Sequence, residues 1–385
     1  MEMLKQIIEA LYKKKNVLIY GPPGTGKTYL LSQLLKEISV KKVVTPVITP
    51  GEQEVFGLDD GGEWEAEFPD NMEIEWVTFH QFYSYDDFIL GKRPVPKNGG
   101  MELEAHLGIL TDGAVRVAIG DYEAYLLIID EINRANTSQV FGEFITYMEP
   151  GYRATINNLE NPNALPVRFP GVSYRDNLSE PLLSLRNGNR YQIPHSWNFP
   201  ENVFVVATMN SVDRAALPLD SALARRFHRV ELRTDLKVLQ KKIGLGNAPS
   251  RDSVEIEKLS YQETAYLLLQ RLNNIICAEV GSDFELGHFL LKDLFNVGSD
   301  DEGWQTLINV WEHSLFPQIM DRFTGRNDVL KDLFKIVDGE VTENVFKEIH
   351  YSSTEGIESG SYIKANSLHN VSFDEAVAVL KFISI

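Results

Sequence analysis

Residues Gly21 to Thr28 have the composition and spacing of a loop that binds phosphate. The run reads Gly-Pro-Pro-Gly-Thr-Gly-Lys-Thr. Its three glycines allow the backbone N–H groups to wrap around phosphate oxygens, because a side chain at those positions would obstruct the approach. Lys27 can then reach the terminal phosphates, and the Thr28 hydroxyl is suited to hold Mg²⁺. The sequence therefore predicts a nucleoside triphosphate site.

The loop lies between a strand-like segment and a helix-like one. The apolar run 17–20 precedes it and the stretch 29–37 follows. The first turn of such a helix directs unpaired N–H groups at a bound anion, which argues against an ordinary glycine-rich turn. We expect nine consecutive residues to hold the nucleotide: Gly21, Pro22, Pro23, Gly24, Thr25, Gly26, Lys27, Thr28 and Tyr29.

Two further polar clusters come directly after continuous apolar runs. Asp130 and Glu131 follow the run 125–129, and Asn210 closely follows the run 203–207. Such runs are typical of strands covered on both faces, and their alternation with helical stretches predicts a parallel sheet between two layers of helices. Because the carboxyl ends of parallel strands lie at one edge, we expect both clusters to converge on the nucleotide.

The residue types of these clusters suit triphosphate hydrolysis. Asp130 is predicted to hold Mg²⁺ through water, and Glu131 to orient or polarise the attacking water. The amide of Asn210 could hold that water or contact the γ-phosphate, or it could only cap the next turn. Together with the phosphate loop, the acidic pair indicates a hydrolase.

Arg225 and Arg226 end a short helix-like segment, residues 220–227. In a ring of subunits such arginines would face the nucleotide of the neighbouring subunit, where a guanidinium stabilises charge on the transferring phosphoryl group. The alternative is a basic helix end on a solvated face. We favour the catalytic role because the other motifs accompany the pair.

Composition excludes several classes of protein. The chain has 385 residues and a net charge of −18, so it is a poor candidate for gripping nucleic acid unaided. Its single cysteine, Cys277, excludes an internal disulfide and a cysteine zinc cluster. No apolar run approaches the roughly 20 residues needed to cross a bilayer, and we expect a cytoplasmic protein without membrane contact.

The pattern along the chain predicts two domains. Residues 1–235 form the nucleotide-binding αβα domain, with loop insertions near 45–75 and 150–195, and residues 92–104 are also expected to be a loop. Residues 236–385 carry amphipathic helical segments and form a helical C-terminal lid domain, in which Pro317 should end or kink a helix. The predicted fold class is thus α/β, a three-layer parallel sheet followed by a mainly helical lid.

These motifs resemble the AAA+ superfamily of P-loop NTPases. Walker A corresponds to residues 21–28, Walker B to 126–131, the sensor-1 asparagine to Asn210, and the arginine fingers to Arg225 and Arg226. More narrowly, the chain looks like the McrB branch at residues 79–81 and 83–88, at Gly91 with Arg93-Pro94, and at residues 130–136 and 209–214. The resemblance covers roughly residues 15–235 well and the remainder loosely, mainly at Leu286-Gly287-His288-Phe289.

The resemblance implies a restriction motor. McrB proteins usually hydrolyse GTP with Mg²⁺, form hexameric rings and work with an McrC-like subunit that stimulates hydrolysis and brings a nuclease. By resemblance, Asn210 and Asp213 match the signature residues that position water and respond to the partner, while ATP remains possible as the substrate. DNA would be handled through the complex, in restriction or antiviral defence, rather than by this chain alone.

The sequence departs from the family pattern in two places, and two other functions are compatible with its motifs. Ser211-Val212 replaces the usual Thr-Ala of the signature, and only residues 1–16 precede the first strand, so we expect no N-terminal domain that reads modified DNA. A MoxR-like ATPase chaperone that remodels a protein or a metal site shares the same motor. A nucleotide-gated scaffold that barely hydrolyses is the third possibility, against which Glu131 and Asn210 argue.

Overall fold

The computed structural model describes residues 2–40, 68–97, 99–155, 161–169, 182–194, 196–212, 217–251, 254–336, 341–351 and 360–385. Within them, contacts define two compact units, of which the first runs up to Tyr20 and from Lys27 to Glu231. The second comprises Gly21–Gly26 and Leu232–Ile385. The domain boundary expected at residue 235 stays a prediction.

The strands and helices of the described residues are numbered in chain order. The strands are β1 (Asn16–Gly21), β2 (Met72–Thr78), β3 (Leu90–Lys97), β4 (Gly100–Leu107), β5 (Ala124–Asp130), β6 (Leu182–Ser184), β7 (Arg190–Gln192), β8 (Val203–Asn210), β9 (His228–Glu231), β10 (Phe346–Tyr351) and β11 (Gly360–Ala365). The helices are α1 (Glu2–Lys14), α2 (Lys27–Val40), α3 (Tyr85–Phe88), α4 (Ile109–Ala118), α5 (Thr137–Phe141), α6 (Ser221–Ala224), α7 (Leu236–Lys242), α8 (Tyr261–Glu279), α9 (Asp300–Val310), α10 (Phe316–Arg322), α11 (Asn327–Phe334) and α12 (Phe373–Ser384).

The first unit is built on a five-stranded sheet of order β2-β5-β8-β1-β9. The pairs β2–β5, β5–β8 and β1–β9 are parallel. The first six residues of β5 are fully buried, because the sheet is covered on both faces as the apolar runs predicted. The predicted α/β fold with a parallel central sheet is confirmed. Strand β9 has no counterpart among the predicted strands, since His228-Arg229-Val230-Glu231 contains no apolar run.

A second sheet of order β3-β4-β6-β7 corrects one expectation. Residues 92–104 are not a loop, because β3 and β4 pair antiparallel around a turn at Gly99, whose φ is +81°. Pro94 and Pro96 fit this strand because β3 lies at the edge of the sheet, where residues without an N–H are tolerated. The insertion near 150–195 contributes β6 and β7 to this sheet. Most of the insertion near 45–75 lies outside the described residues.

The second unit is mainly helical, with a core of aliphatic and aromatic side chains that includes the buried Trp311. Helix α9 passes through a π-helical turn, Trp311–Leu315, into α10. Pro317 is the second residue of α10, which begins directly after this π-helical turn. The antiparallel hairpin β10–β11 was not expected from the sequence. None of the helices in the described ranges is both long and apolar enough to cross a membrane.

Candidate nucleotide and magnesium site

The phosphate loop connects β1 to α2 in a conformation that needs its glycines. Gly24 and Gly26 have φ values of +76° and +92°, a region that favours glycine. The hydroxyl of Thr25 donates a 2.9 Å hydrogen bond to the carbonyl oxygen of Pro22 and so closes the turn. At Gly21 an added Cβ would lie 2.1 Å from the carbonyl oxygen of Leu232. The spacing of glycines in the motif therefore follows from backbone geometry and close packing.

A segment of the C-terminal part supports this loop through its backbone. The N–H of Gly287 donates to the carbonyl oxygen of Pro23 at 3.1 Å, and the N–H of Phe289 donates to that of Gly24 at 2.8 Å. An added Cβ at Gly287 would lie 2.0 Å from the carbonyl carbon of Gly24. Only glycine at this position allows the two backbones to approach so closely.

Lys27 begins α2 in a mostly buried position, with 8% of its surface exposed. Burial lowers the pKa of its ammonium group to about 8, although the carboxylates of Glu131 and Asp130 act in the opposite direction. A phosphate beside this group would favour the charged form. Thr28 is exposed and Tyr29 is half-buried in the same helical turn. Hydroxyl and carboxylate oxygens, as on Thr28 and Asp130, are the ligand types that Mg²⁺ prefers, so these residues fit a nucleotide–magnesium complex.

The structure brings Asp130, Glu131 and Asn210 together at the ends of the neighbouring strands β5 and β8. The amide Nδ2 of Asn210 donates to Oε1 of Glu131 at 2.7 Å, so this amide faces the acid. Glu131 has a left-handed backbone, with φ of +55° and ψ of +48°, which is strained for a residue other than glycine. Such strain at a strand end is typical of functional sites. Asp213, the other signature residue, lies outside the described residues.

Sequence reasoning assigned no role to two residues that contact this cluster. The hydroxyl of Thr208 donates to Oδ1 of Asp130 and accepts a 3.2 Å hydrogen bond from the N–H of Glu131. The Nε of Arg134 lies 3.6 Å from Oε2 of Glu131. The spacing of Arg134, three residues after Glu131 at the start of a helical turn, was the signal that could have found it. The contact of Thr208 with the acidic residues could be predicted only from the register in which β5 and β8 pair.

Arg225 and Arg226 follow helix α6, which begins at an Asp220 cap. Arg225 is exposed, and its Nε donates to the carbonyl oxygen of Ser221 at 3.2 Å. Arg226 is half-buried, donates from Nη1 to the carbonyl oxygen of Ala222 at 3.1 Å, and lies 4.0 Å from a carboxylate oxygen of Glu149. The two arginines therefore have different surroundings within their own subunit.

A buried polar network anchors the backbone at this arginine pair. Asn16, at the start of β1, donates from Nδ2 to the carbonyl oxygens of Arg226 at 3.0 Å and Met148 at 2.5 Å. Arg153, which is fully buried, donates to Oδ1 of Asn16 at 2.9 Å and to the carbonyl oxygen of Val203 at 2.6 Å. Burial lowers the pKa of the Arg153 guanidinium to about 9. The network ties the arginines to the central sheet.

Comparisons with known proteins find similarity to an AAA domain family and to components of restriction systems. Residues 66–227 match the AAA domain family of the dynein-related subfamily. The chain is 28% identical over 306 residues to the type IV methyl-directed restriction enzyme EcoKMcrB subunit of Escherichia coli strain K12, an alignment that covers 78% of this chain and 52% of that protein. The chain thus spans about half the length of that relative.

A second relative comes from another restriction system. The chain is 24% identical over 351 residues to the type II restriction enzyme BsuMI component YdiS of Bacillus subtilis strain 168, with 82% of this chain and 87% of that protein covered. Among solved structures, a putative ATPase from Cytophaga hutchinsonii ATCC 33406 matches 86% of this chain and 79% of its own, at 14% identity and a TM-score of 0.30. A TM-score this low supports no conclusion.

Proposed function

We propose that this chain, which matches an AAA domain family and is similar to the McrB subunit and to YdiS, is a McrB-like AAA+ nucleoside triphosphatase and the ring motor of a McrBC-like restriction complex. It would hydrolyse GTP in preference to ATP and drive DNA translocation or remodelling for a partner nuclease in the cytoplasm. The proposed hydrolytic activity rests on the 2.7 Å hydrogen bond from Asn210 to Glu131, which lies beside Asp130 and near the charge of Lys27.

Each residue of the cluster has a distinct task in this proposal. The loop and Lys27 bind the β- and γ-phosphates, and Thr28 and Asp130 would hold Mg²⁺, whose charge neutralises the phosphate oxygens. Glu131 orients the attacking water, and Asn210 fixes the carboxylate that does so. Asp213 would complete the signature pair with Asn210.

The contacts of Glu131 suggest that hydrolysis is held in check in the isolated subunit. Its carboxylate is bonded to Asn210 through one oxygen and lies near the Arg134 cation through the other. A hydrogen bond to one oxygen and a nearby cation both stabilise the ionised carboxylate, which lowers its capacity to accept a proton from water. Assembly into a homo-oligomeric, hexameric ring and binding of an McrC-like activator would redistribute these contacts and supply an arginine across the subunit boundary.

Two substitutions test the assignment of the nucleotide site. Glu131→Gln keeps the size of the side chain but cannot polarise water, so we expect nucleotide binding to survive and turnover to fall by about 10²-fold or more. Lys27→Ala should instead weaken binding itself. Binding of fluorescent GTP and ATP analogues and release of phosphate are the measurements. Turnover of Glu131→Gln near the parent rate would show that another residue acts on the water.

Nucleotide preference and assembly test the restriction role. Sizing chromatography with GTP or ATP should shift the chain to a larger species, and a strict monomer with every nucleotide, with and without the product of a neighbouring gene, would exclude a ring motor. The names of both relatives favour a restriction component over the MoxR-like chaperone. Exclusive preference for ATP in competition binding would count against GTP and for that alternative.

A further inference from the structure

Thr208 lies between the two acidic residues of the proposed site and contacts both of them. It is 1% exposed and follows Ala207, which pairs with Ile129 in the parallel ladder of β5 and β8. The next residues along each strand are Thr208 and Asp130, so their side chains lie side by side at the ends of the strands. Continuity of the ladder therefore fixes the position of the Thr208 hydroxyl relative to the Asp130 carboxylate.

The Thr208 hydroxyl makes two hydrogen bonds, one as a donor and one as an acceptor. It donates its hydrogen to Oδ1 of Asp130, and its oxygen accepts the N–H of Glu131 at 3.2 Å. Donation to Oδ1 restricts rotation of the carboxylate and leaves Oδ2 for the hydration shell of the metal. Acceptance from Glu131 satisfies a backbone donor at the residue with the left-handed φ of +55°.

We infer that Thr208 is a positioning residue for hydrolysis: its hydroxyl orients the Asp130 carboxylate toward Mg²⁺ and holds the strained turn that presents Glu131. The inference rests on the proposed function and adds a residue to it. Thr208 touches neither the phosphate nor the water in this role and acts only through the two acids. A valine has nearly the same shape as threonine but can neither donate nor accept, so it removes both bonds with little change in packing.

The test measures kcat and KM for GTP and ATP, with Mg²⁺ varied, in the full-length chain. For Thr208→Val we expect kcat to fall about 10- to 100-fold, KM to change by less than about threefold, and half-maximal activity to need more Mg²⁺. Thr208→Ser restores the hydroxyl and should recover most of kcat. Unchanged kcat in Thr208→Val, or a serine variant as slow as the valine variant, would overturn the inference.

Thr111→Val is the matched control. Thr111 is also fully buried in the same unit, and its hydroxyl donates to the carbonyl oxygen of Ile89, away from the acids. The valine there should lower the melting temperature without changing the Mg²⁺ dependence. An equal loss of kcat in both valine variants would show that Thr208 acts only through stability.

A binding measurement keeps the inference separate from the proposed function. Affinity for a fluorescent non-hydrolysable GTP analogue is measured against Mg²⁺ concentration, which needs no turnover. A several-fold rise in the Mg²⁺ requirement of Thr208→Val, restored by serine, supports the role of Thr208 even if the parent chain hydrolyses neither nucleotide. In that case the hydrolytic function fails and the positioning of Asp130 stands. Identical Mg²⁺ curves for parent and valine variant would reject the positioning of Asp130.

Discussion

Arg225 and Arg226 are neighbours in the chain, yet their side chains have different freedom. Arg226 is half-buried and lies near Glu149, whereas Arg225 is exposed and donates to the carbonyl oxygen of Ser221. An arginine that acts on a neighbouring subunit must be able to extend beyond its own surface. We therefore propose that Arg225 acts across the subunit boundary of the proposed ring and that Arg226 has a supporting role.

Arg225→Ala should lower turnover of the assembled ring by about 10³-fold while nucleotide still binds, because the guanidinium acts on charge that develops during transfer. Arg226→Ala should mainly lower the melting temperature. Mixed rings provide a sharper comparison. Arg225→Ala subunits retain Glu131, and Glu131→Gln subunits retain Arg225, so mixing the two inactive variants should restore part of the activity. No recovery in mixed rings of confirmed composition would contradict action across the boundary.

At the scale of elements, the phosphate loop depends on a segment more than 250 residues later in the sequence. The backbone N–H groups of Gly287 and Phe289 donate hydrogen bonds to the carbonyl oxygens of Pro23 and Gly24. Hydrogen bonds of this kind restrict the loop before any nucleotide arrives, which reduces the entropy lost on binding. The segment Leu286–Phe289, which the sequence related only loosely to the McrB branch, thus has a physical role in the loop.

Gly287→Ala tests this role. The new Cβ would lie 2.0 Å from the carbonyl carbon of Gly24, so the loop or the segment must move. We expect nucleotide affinity to fall at least about tenfold, measured by titration with a fluorescent analogue. Gly246→Ala is the control in the same unit, because an added Cβ there has nothing within 4 Å. Equal affinities of the two variants would mean that the contact does not shape the loop.

At the scale of the whole molecule, the sequence predicted the parts of the fold that carry strong apolar runs. Strands β1, β5 and β8, and the polar residues at their ends, follow from local pattern, because burial on both faces demands continuous apolar residues. Strand β9 and the pair β3–β4 could not be predicted in this way. Strand β9 has a single apolar residue, Val230, and is regular through its pairing with β1, whereas β3 contains two prolines and is regular through its pairing with β4 across the turn at Gly99. The role of Thr208 was hidden for the same reason, since it depends on register.

The pH dependence of stability should show the burial of His288. Its ring is 2% exposed and Nδ1 accepts the N–H of Asp235 at 3.1 Å. Burial lowers the pKa of His288 to about 4 from 6.5, and the charge of Asp235 acts in the other direction. The folded state therefore keeps the ring neutral where the unfolded chain takes up a proton. The contribution of this group to the free energy of unfolding is fully present above pH 6.5 and is lost as the pH falls toward 4.

We expect the free energy of unfolding to lose about 3 kcal/mol through this group between pH 6.5 and 4. Urea unfolding of the parent chain and of His288→Gln over this range isolates the contribution, because glutamine can still accept the Asp235 N–H but does not titrate. The difference in free energy between the two proteins should change with pH. Parallel curves would show that His288 is protonated equally in the folded and unfolded states.

The backbone contact between Gly287 and the phosphate loop also has a thermodynamic consequence. Because the segment Gly287–Phe289 and the loop residues Gly21–Gly26 belong to the same unit, the free energy of their contact would enter the nucleotide-binding equilibrium that we propose for the loop. Any molecule that draws this segment away must weaken nucleotide binding, and bound nucleotide must resist that molecule by the same free energy. Occupancy of the loop by nucleotide and displacement of the segment Gly287–Phe289 would thereby oppose each other, and each could be measured through the other.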